Sequence, residues 1–395
     1  MSASLIWRTF DVVLPRIASF VLISYIVFHY GPGSFSIPAW TMSSYGLVAS
    51  LVPDPSSYVL LLSKSKSITR YWNRLSLGLI VKTLLVIVFS IVAALIFAPK
   101  LDNSLRTISV VAGLMYALTD TLWSSCSLYR LASDDMFSWA VIGSVARSLT
   151  LAFLFLLDLS YRLDANSLLI IYSVPLLAIC MYEIRNTIFS RVSLMYSLAS
   201  IKHYAAWSYL NGFILSFVLQ SPLTLSGANA SASSAQIGSI AYAYRIIAIL
   251  NQPLQIFQSA LIRDYNAGFN LSSQRVLSAK LISRLTGVAM LMAGYLMYAY
   301  LPDSTTALLA IIPGVALFAF FRFEFALLNA AKSIYTVSLK CVLPALITLA
   351  LFYIFNYPSL GLTKVAIGVS IFYSVFASLV VSLFRKSFTS SHQVR

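Results

Sequence analysis

Apolar runs recur twelve times along the chain, at about 7–28, 34–62, 75–98, 108–129, 137–157, 168–184, 204–225, 237–262, 285–300, 306–328, 341–356 and 363–384. Most are long enough to cross a hydrocarbon core of about 30 Å as a helix. Backbone groups in lipid must be hydrogen-bonded internally, and a helix does this within one segment. With 59% hydrophobic and only 10% charged residues, the chain has too little charge to cover a water-exposed surface. The expected fold is an all-α polytopic membrane protein with twelve transmembrane helices.

The connections alternate in charge. Arg8, Lys64, Lys66, Arg70, Arg74, Arg130, Arg185, Arg191, Lys202, Arg263, Arg275, Lys280, Arg284, Lys332, Lys340, Arg385, Lys386 and Arg395 fall on one side, which makes 18 basic residues. Lys100, Arg106, Arg162 and Lys364 fall on the other. Basic residues collect in inward loops, so both termini are expected in the cytoplasm of a bacterial inner membrane. The outward loops, such as GANASASSAQ and LPDSTT, are too short to fold into a domain. The longest inward connection divides the chain into an N-terminal six-helix bundle (1–190), an interfacial linker (191–203) and a C-terminal six-helix bundle with a short tail (204–395). Ile188, Phe189, Val192, Met195, Tyr196 and Ala199 give the start of that connection the pattern of a helix lying in the interface. Gly33-Ser34-Phe35 and Gly238-Ser239-Ile240 open segments two and eight, a faint echo between the two parts.

Cys126, Cys180 and Cys341 lie far apart in apolar runs and read as small buried hydrophobes, with neither disulfide nor metal spacing. A Gly-rich Lys-Ser/Thr phosphate loop is also absent, so no cofactor and no ATP-driven cycle are expected. Arg8, Asp11, Pro15 and Arg16 interrupt the first apolar run, which argues against a cleavable signal.

Five basic residues remain inside the apolar segments: Arg16, Lys82, Arg147, Arg245 and Arg322. Each costs about 2.5–3.5 kcal/mol at a helix centre if it faces lipid, so they are expected to face protein or water. Arg16, Arg147 and Arg245 fall near the midplane, and Lys82 and Arg322 nearer the cytoplasm. In segment eight, Arg245, Gln252 and Ser259 stack at seven-residue spacing beside Asn251, Gln255 and Gln258, while Ile246, Leu250, Leu254, Phe257 and Leu261 take the opposite arc. One face of that helix is built to meet something polar, and arginine favours an anion. Asp120, Glu183 and Glu324 are the candidates for coupling to an ion. A bland alternative competes for each charge, because snorkelling side chains and buried ion pairs also place arginine in membranes.

IWRTFDVVLPRIASFVLISYIVFHYGPGSFSIPAW, the basic loop after segment two, and IGSIAYAYRIIAILNQPLQIFQSAL resemble the polysaccharide transporters, the Wzx-type O-antigen flippases of the multidrug/oligosaccharidyl-lipid/polysaccharide exporter (MOP) superfamily. The resemblance implies two six-helix bundles around a central cavity. It also implies alternating-access transfer of an undecaprenyl-diphosphate-linked oligosaccharide to the outer leaflet, alongside a polysaccharide polymerase and a chain-length regulator. On that reading Arg16, Arg245, Arg147, Arg322, Lys82, Gln252, Asn251 and Gln255 would meet the head group. The chain departs from its relatives in LIRDYN, where a Pro is usual, and in IPAW, where the peptidoglycan-precursor branch carries an acid. Two other functions compete: a drug or small-molecule exporter of the same superfamily, and a membrane-embedded polymerase or glycosyltransferase, which the short outward loops disfavour.

Overall fold

The computed structural model describes residues 3–51, 68–97, 103–133, 135–187, 214–215, 217–223, 233–266, 273–300, 305–331, 334–356 and 361–389. Among them the regular structure is entirely helical. The helices are α1 (Ala3–Tyr30), α2 (Ser36–Leu51), α3 (Ile68–Phe97), α4 (Asn103–Ala132), α5 (Met136–Tyr161), α6 (Ala165–Ile184), α7 (Ser234–Asn266), α8 (Ser273–Tyr300), α9 (Thr305–Phe320), α10 (Arg322–Ala331), α11 (Leu343–Asn356) and α12 (Leu362–Thr389). Six described spans are long and apolar enough to cross a membrane, and the bent pair α9–α10 makes a seventh. Helices α4 and α7 are longer than most, at 30 and 33 residues, but more polar. They carry Asp120 and Arg245. The chain is therefore an all-α, multi-pass membrane protein.

Two compact units emerge, Met1–Ser216 with Leu223–Tyr242, and Phe217–Pro222 with Ala243–Arg395. Helix α7 thus contributes its first turns to one unit and the rest to the other. The linker expected at 191–203 and the interfacial helix expected at 188–199 lie outside the described residues. So do the loop lysines Lys64 and Lys66.

In the first unit α1 packs on α5, α2 on α3 and α4, and α6 on α4 and α5. Helix α5 shows why. Met136, Trp139, Ala140, Gly143, Arg147, Thr150, Leu154 and Asp158 are buried along one stripe at three- and four-residue spacing. Phe137, Val141, Val145, Leu149, Phe153 and Leu156 cover the opposite face and are exposed. The amphipathicity is inverted relative to a soluble helix, with polar groups inside and bulky apolar ones outward, because the solvent is hydrocarbon. The α5–α6 turn is tied by Asp158, whose carboxylate accepts from Leu163 N at 2.7 Å, while Arg162 closes α5 in the left-handed region at φ 48°. Asp164 caps α6 by accepting from Ser167 N. The two Gly-Ser openings meet in this unit. A Cβ on Gly238 would lie 1.8 Å from the Pro32 carbonyl oxygen, so only glycine allows α7 this approach.

In the second unit α9 packs on α8 and α12, and α11 packs on α12. A Cβ on Gly314 would lie 2.3 Å from Ser370 O, a close small-residue crossing of α9 and α12. Segment ten, expected as one helix over 306–328, is two: α9 and α10 bend by 52° at Phe321. A break inside a membrane frees carbonyls that need donors. Ser283 and Arg284 of α8 supply them. Ser283 Oγ donates to Ala319 O at 2.7 Å and Phe320 O at 3.0 Å, and Arg284 Nη1 donates to Phe320 O as well. A π-helical stretch, Ser338–Val342, precedes α11.

Candidate functional site

The first unit holds a polar interior assembled from four helices. Arg16 of α1 donates through Nη1 to Asp120 Oδ2 of α4 at 2.8 Å. Their side chains are 28% and 38% exposed, so the pair is accessible. Beside it a cavity of about 20 Å³ is lined by Pro15, Ser19, Tyr116, Asp120, Arg147 and Tyr172 among others. That is room for about one water. Pro15 cannot donate an amide hydrogen within α1, and Ser19 Oγ bonds the Tyr116 hydroxyl across the gap.

Arg147 lies deeper, at 4% exposure. Its guanidinium stacks over Trp123 at 3.9 Å from the ring centroid. Nη1 reaches Gly143 O at 3.4 Å, and Nε has no hydrogen-bond partner among the described residues. Trp123 in turn donates Nε1–H to Asp11 Oδ1 at 3.2 Å, and Ser127 donates to Asp11 Oδ2. Asp11 thus accepts from two residues of α4. Lys82 is half-buried in the middle of α3.

The other two ion-coupling candidates are ion-paired at helix ends and breaks. Glu183 ends α6 with its side chain 8% exposed, against Arg130 Nη2 at 2.8 Å, and Arg130 also binds Asp135. The Glu183 carboxylate is therefore buried against a partly exposed arginine. Glu324, 6% exposed at its side chain, takes Arg284 Nη2 at 2.5 Å. Arg284 was expected in an inward loop but lies within α8, where its charge is needed against Glu324.

Sequence reasoning missed Asp158. It accepts from Tyr25 Oη at 2.5 Å and Tyr30 Oη at 2.7 Å besides Leu163 N. The signal was a lone acid in the apolar run LFLLDLSY, close enough to the outward loop to pass as solvated.

In the second unit α7 and α10 bring Asn251 and Arg322 together. Arg322 Nη1 donates to Asn251 Oδ1 at 3.4 Å, and its guanidinium lies 5.7 Å from the Phe318 ring centroid. Arg245 is half-buried on α7, one turn and a half before Asn251. The side chains of Gln252 and Gln255 lie outside the described residues. Of the predicted site residues, then, Arg16, Arg147 and Lys82 belong to the first unit, with Asp120 among the first two, and Arg245, Asn251 and Arg322 belong to the second.

No family model matches the sequence, and no curated protein is similar to it. Solved structures are. A multidrug-resistance MATE family transporter of the MOP superfamily in its inward-facing conformation aligns at TM-score 0.58 and 16% identity, covering 100% of this chain and 96% of that one. A eukaryotic MATE transporter aligns at TM-score 0.60 and 12% identity, covering 99% and 96%. A MOP superfamily transporter from Pyrococcus furiosus, described as having a binding pocket of reverse polarity, aligns at TM-score 0.58 and 14% identity, covering 98% and 96%. Identities this low speak to architecture. The chain has, over its whole length, the all-α membrane-spanning fold of the MATE and MOP superfamily transporters.

Proposed function

We propose that the protein is a flippase that moves an undecaprenyl-diphosphate-linked oligosaccharide, such as an O-antigen repeat unit, from the inner to the outer leaflet of a bacterial cytoplasmic membrane by alternating access. It works without enzymatic chemistry, with both termini in the cytoplasm. The observation that carries the reading is the accessible guanidinium of Arg16 on α1, in the first turn of the apolar span Val13–Tyr30. Arginine binds phosphate through a two-pronged fork and stays charged at any physiological pH. A diphosphate is the part of a lipid-linked sugar that hydrocarbon rejects most strongly, while its polyprenyl tail can remain in lipid. Arg245 and Arg322 supply the corresponding cations in the second unit, with Asn251 as a neutral donor.

The test is complementation in a flippase-null strain. Arg16→Ala and Arg245→Ala should insert at normal levels yet lose surface polysaccharide by tenfold or more (about 1.4 kcal/mol of lost binding would suffice). Full export by both variants would remove the site. A second reading, a drug exporter, is favoured by the multidrug transporters among the structural neighbours. Drug sensitivity on deletion with normal surface polysaccharide would select it.

A further inference from the structure

We propose that Cys126 of α4 and Cys180 of α6 are an oxidisable pair, which peroxide closes into a disulfide that staples the two helices together.

The register of α4 on α6 carries this. The helices run side by side in the same direction, and their contacts advance in step. The Tyr116 and Tyr172 rings stack with centroids 6.1 Å apart, Thr119 Oγ1 donates to Ser173 O at 3.4 Å, and Arg130 Nη2 donates to Glu183 Oε2 at 2.8 Å. Cys126 lies seven residues beyond Thr119, and Cys180 seven beyond Ser173. Two turns of each helix therefore bring both cysteines to one level of the seam, just before the ion pair. They meet there. Their side chains are within hydrogen-bonding reach of each other, and both residues are 0% exposed. Sequence spacing hides the pair because its members stand on different helices. Facing side chains on closely packed backbones are what a disulfide requires.

On the orientation proposed above, this end of α4 and α6 faces the cytoplasm, where thiol pools keep such pairs reduced. The resting state is thus the dithiol. Hydrogen peroxide is neutral and about the size of water, so a brief parting of the helices admits it. One cysteine, as its thiolate, attacks a peroxide oxygen. The O–O bond breaks, water leaves with the thiol proton, and a sulfenic acid forms. The second thiol attacks that sulfur, the S–O bond breaks, a second water leaves, and the S–S bond forms. Two thiols are oxidised and one peroxide is reduced. Burial makes the reaction slow, which suits a response to sustained oxidation. The bond would fix α4, which carries Asp120, to α6, which carries Tyr172, and so stiffen two walls of the cavity beside Arg16.

The experiment treats the purified full-length protein in lipid nanodiscs with hydrogen peroxide, then denatures it and labels free thiols with N-ethylmaleimide. None of its readouts depends on the cargo. Of three cysteines, the oxidised wild type should label only Cys341, which is buried in the second unit. Digestion should yield a linked Cys126–Cys180 peptide, and dithiothreitol should restore all three labels. The Tm should rise on oxidation and fall back on reduction, because the bond constrains the unfolded chain. Cys126→Ala and Cys180→Ala should each keep two labels with an unmoved Tm, and either variant suffices if the other does not fold. Three labels on the folded wild type, under conditions that link cysteines in the denatured chain, would overturn the proposal. So would thiols lost to oxygen adducts without a linked peptide, or a linked protein with a lower Tm.

Discussion

Apart from the Arg130–Glu183 pair at the end of α6, the two units handle interior charge in different ways. In the first, charge stands in the middle of the helices and is matched by groups that differ in kind: a carboxylate for Arg16, an indole face for Arg147, an indole N–H and a serine for Asp11. In the second, the main ion pair seals a bent helix, and the neighbouring interior is a stack of Phe318, Phe325, Phe372, Tyr373 and Phe376. Arg284 and Glu324 hold a shape. Arg16 and Asp120 are both partly exposed. The lesson is that a buried pair and an accessible pair look alike in sequence and have different uses, since desolvation makes the first all-or-none and leaves the second exchangeable.

That contrast can be broken by measurement. Glu324→Ala removes the buried carboxylate that the partly exposed Arg284 faces at the break in α9–α10, and should cost about 3–5 kcal/mol in thermal unfolding of the purified protein. Tyr25→Phe removes a donor to the Asp158 carboxylate at the outer end of the first unit, with an expected loss of about 1.5–3 kcal/mol in the same assay. Trp123→Leu takes the ring from Arg147 and should cost about 0.5–2 kcal/mol beyond the packing change, read by comparison with Trp123→Phe. Asp120→Ala should cost least, under about 1 kcal/mol, because the pair is partly accessible. Equal losses for Asp120→Ala and Glu324→Ala would erase the distinction between the units. A large loss for Asp120 would recast it as a structural brace.

Much of the architecture was legible beforehand. Ten of the twelve apolar runs coincide with described helices, and two, at 34–62 and 204–225, do so in part. This follows because a hydrocarbon solvent admits few backbone solutions. Of the polar face read on α7, the structure describes Arg245 and Asn251, both half-buried. The partners were not legible. Asp120 and Arg16 are 104 residues apart, and Glu324 meets Arg284 across 40. No local pattern reports such distances. The break at Phe321 was hidden because its cause lies on another helix, in Ser283 and Arg284, which accommodate the freed carbonyls.

The sequence by itself determined that this chain lives in a membrane, how many times an apolar run returns, and which residues are too costly to leave in lipid. Those are additive properties of single side chains and single helices. Only the tertiary structure decided which charge neutralises which, and which pair remains accessible. Pairing energy depends on separation and local dielectric, and both are set by how helices distant in sequence pack together.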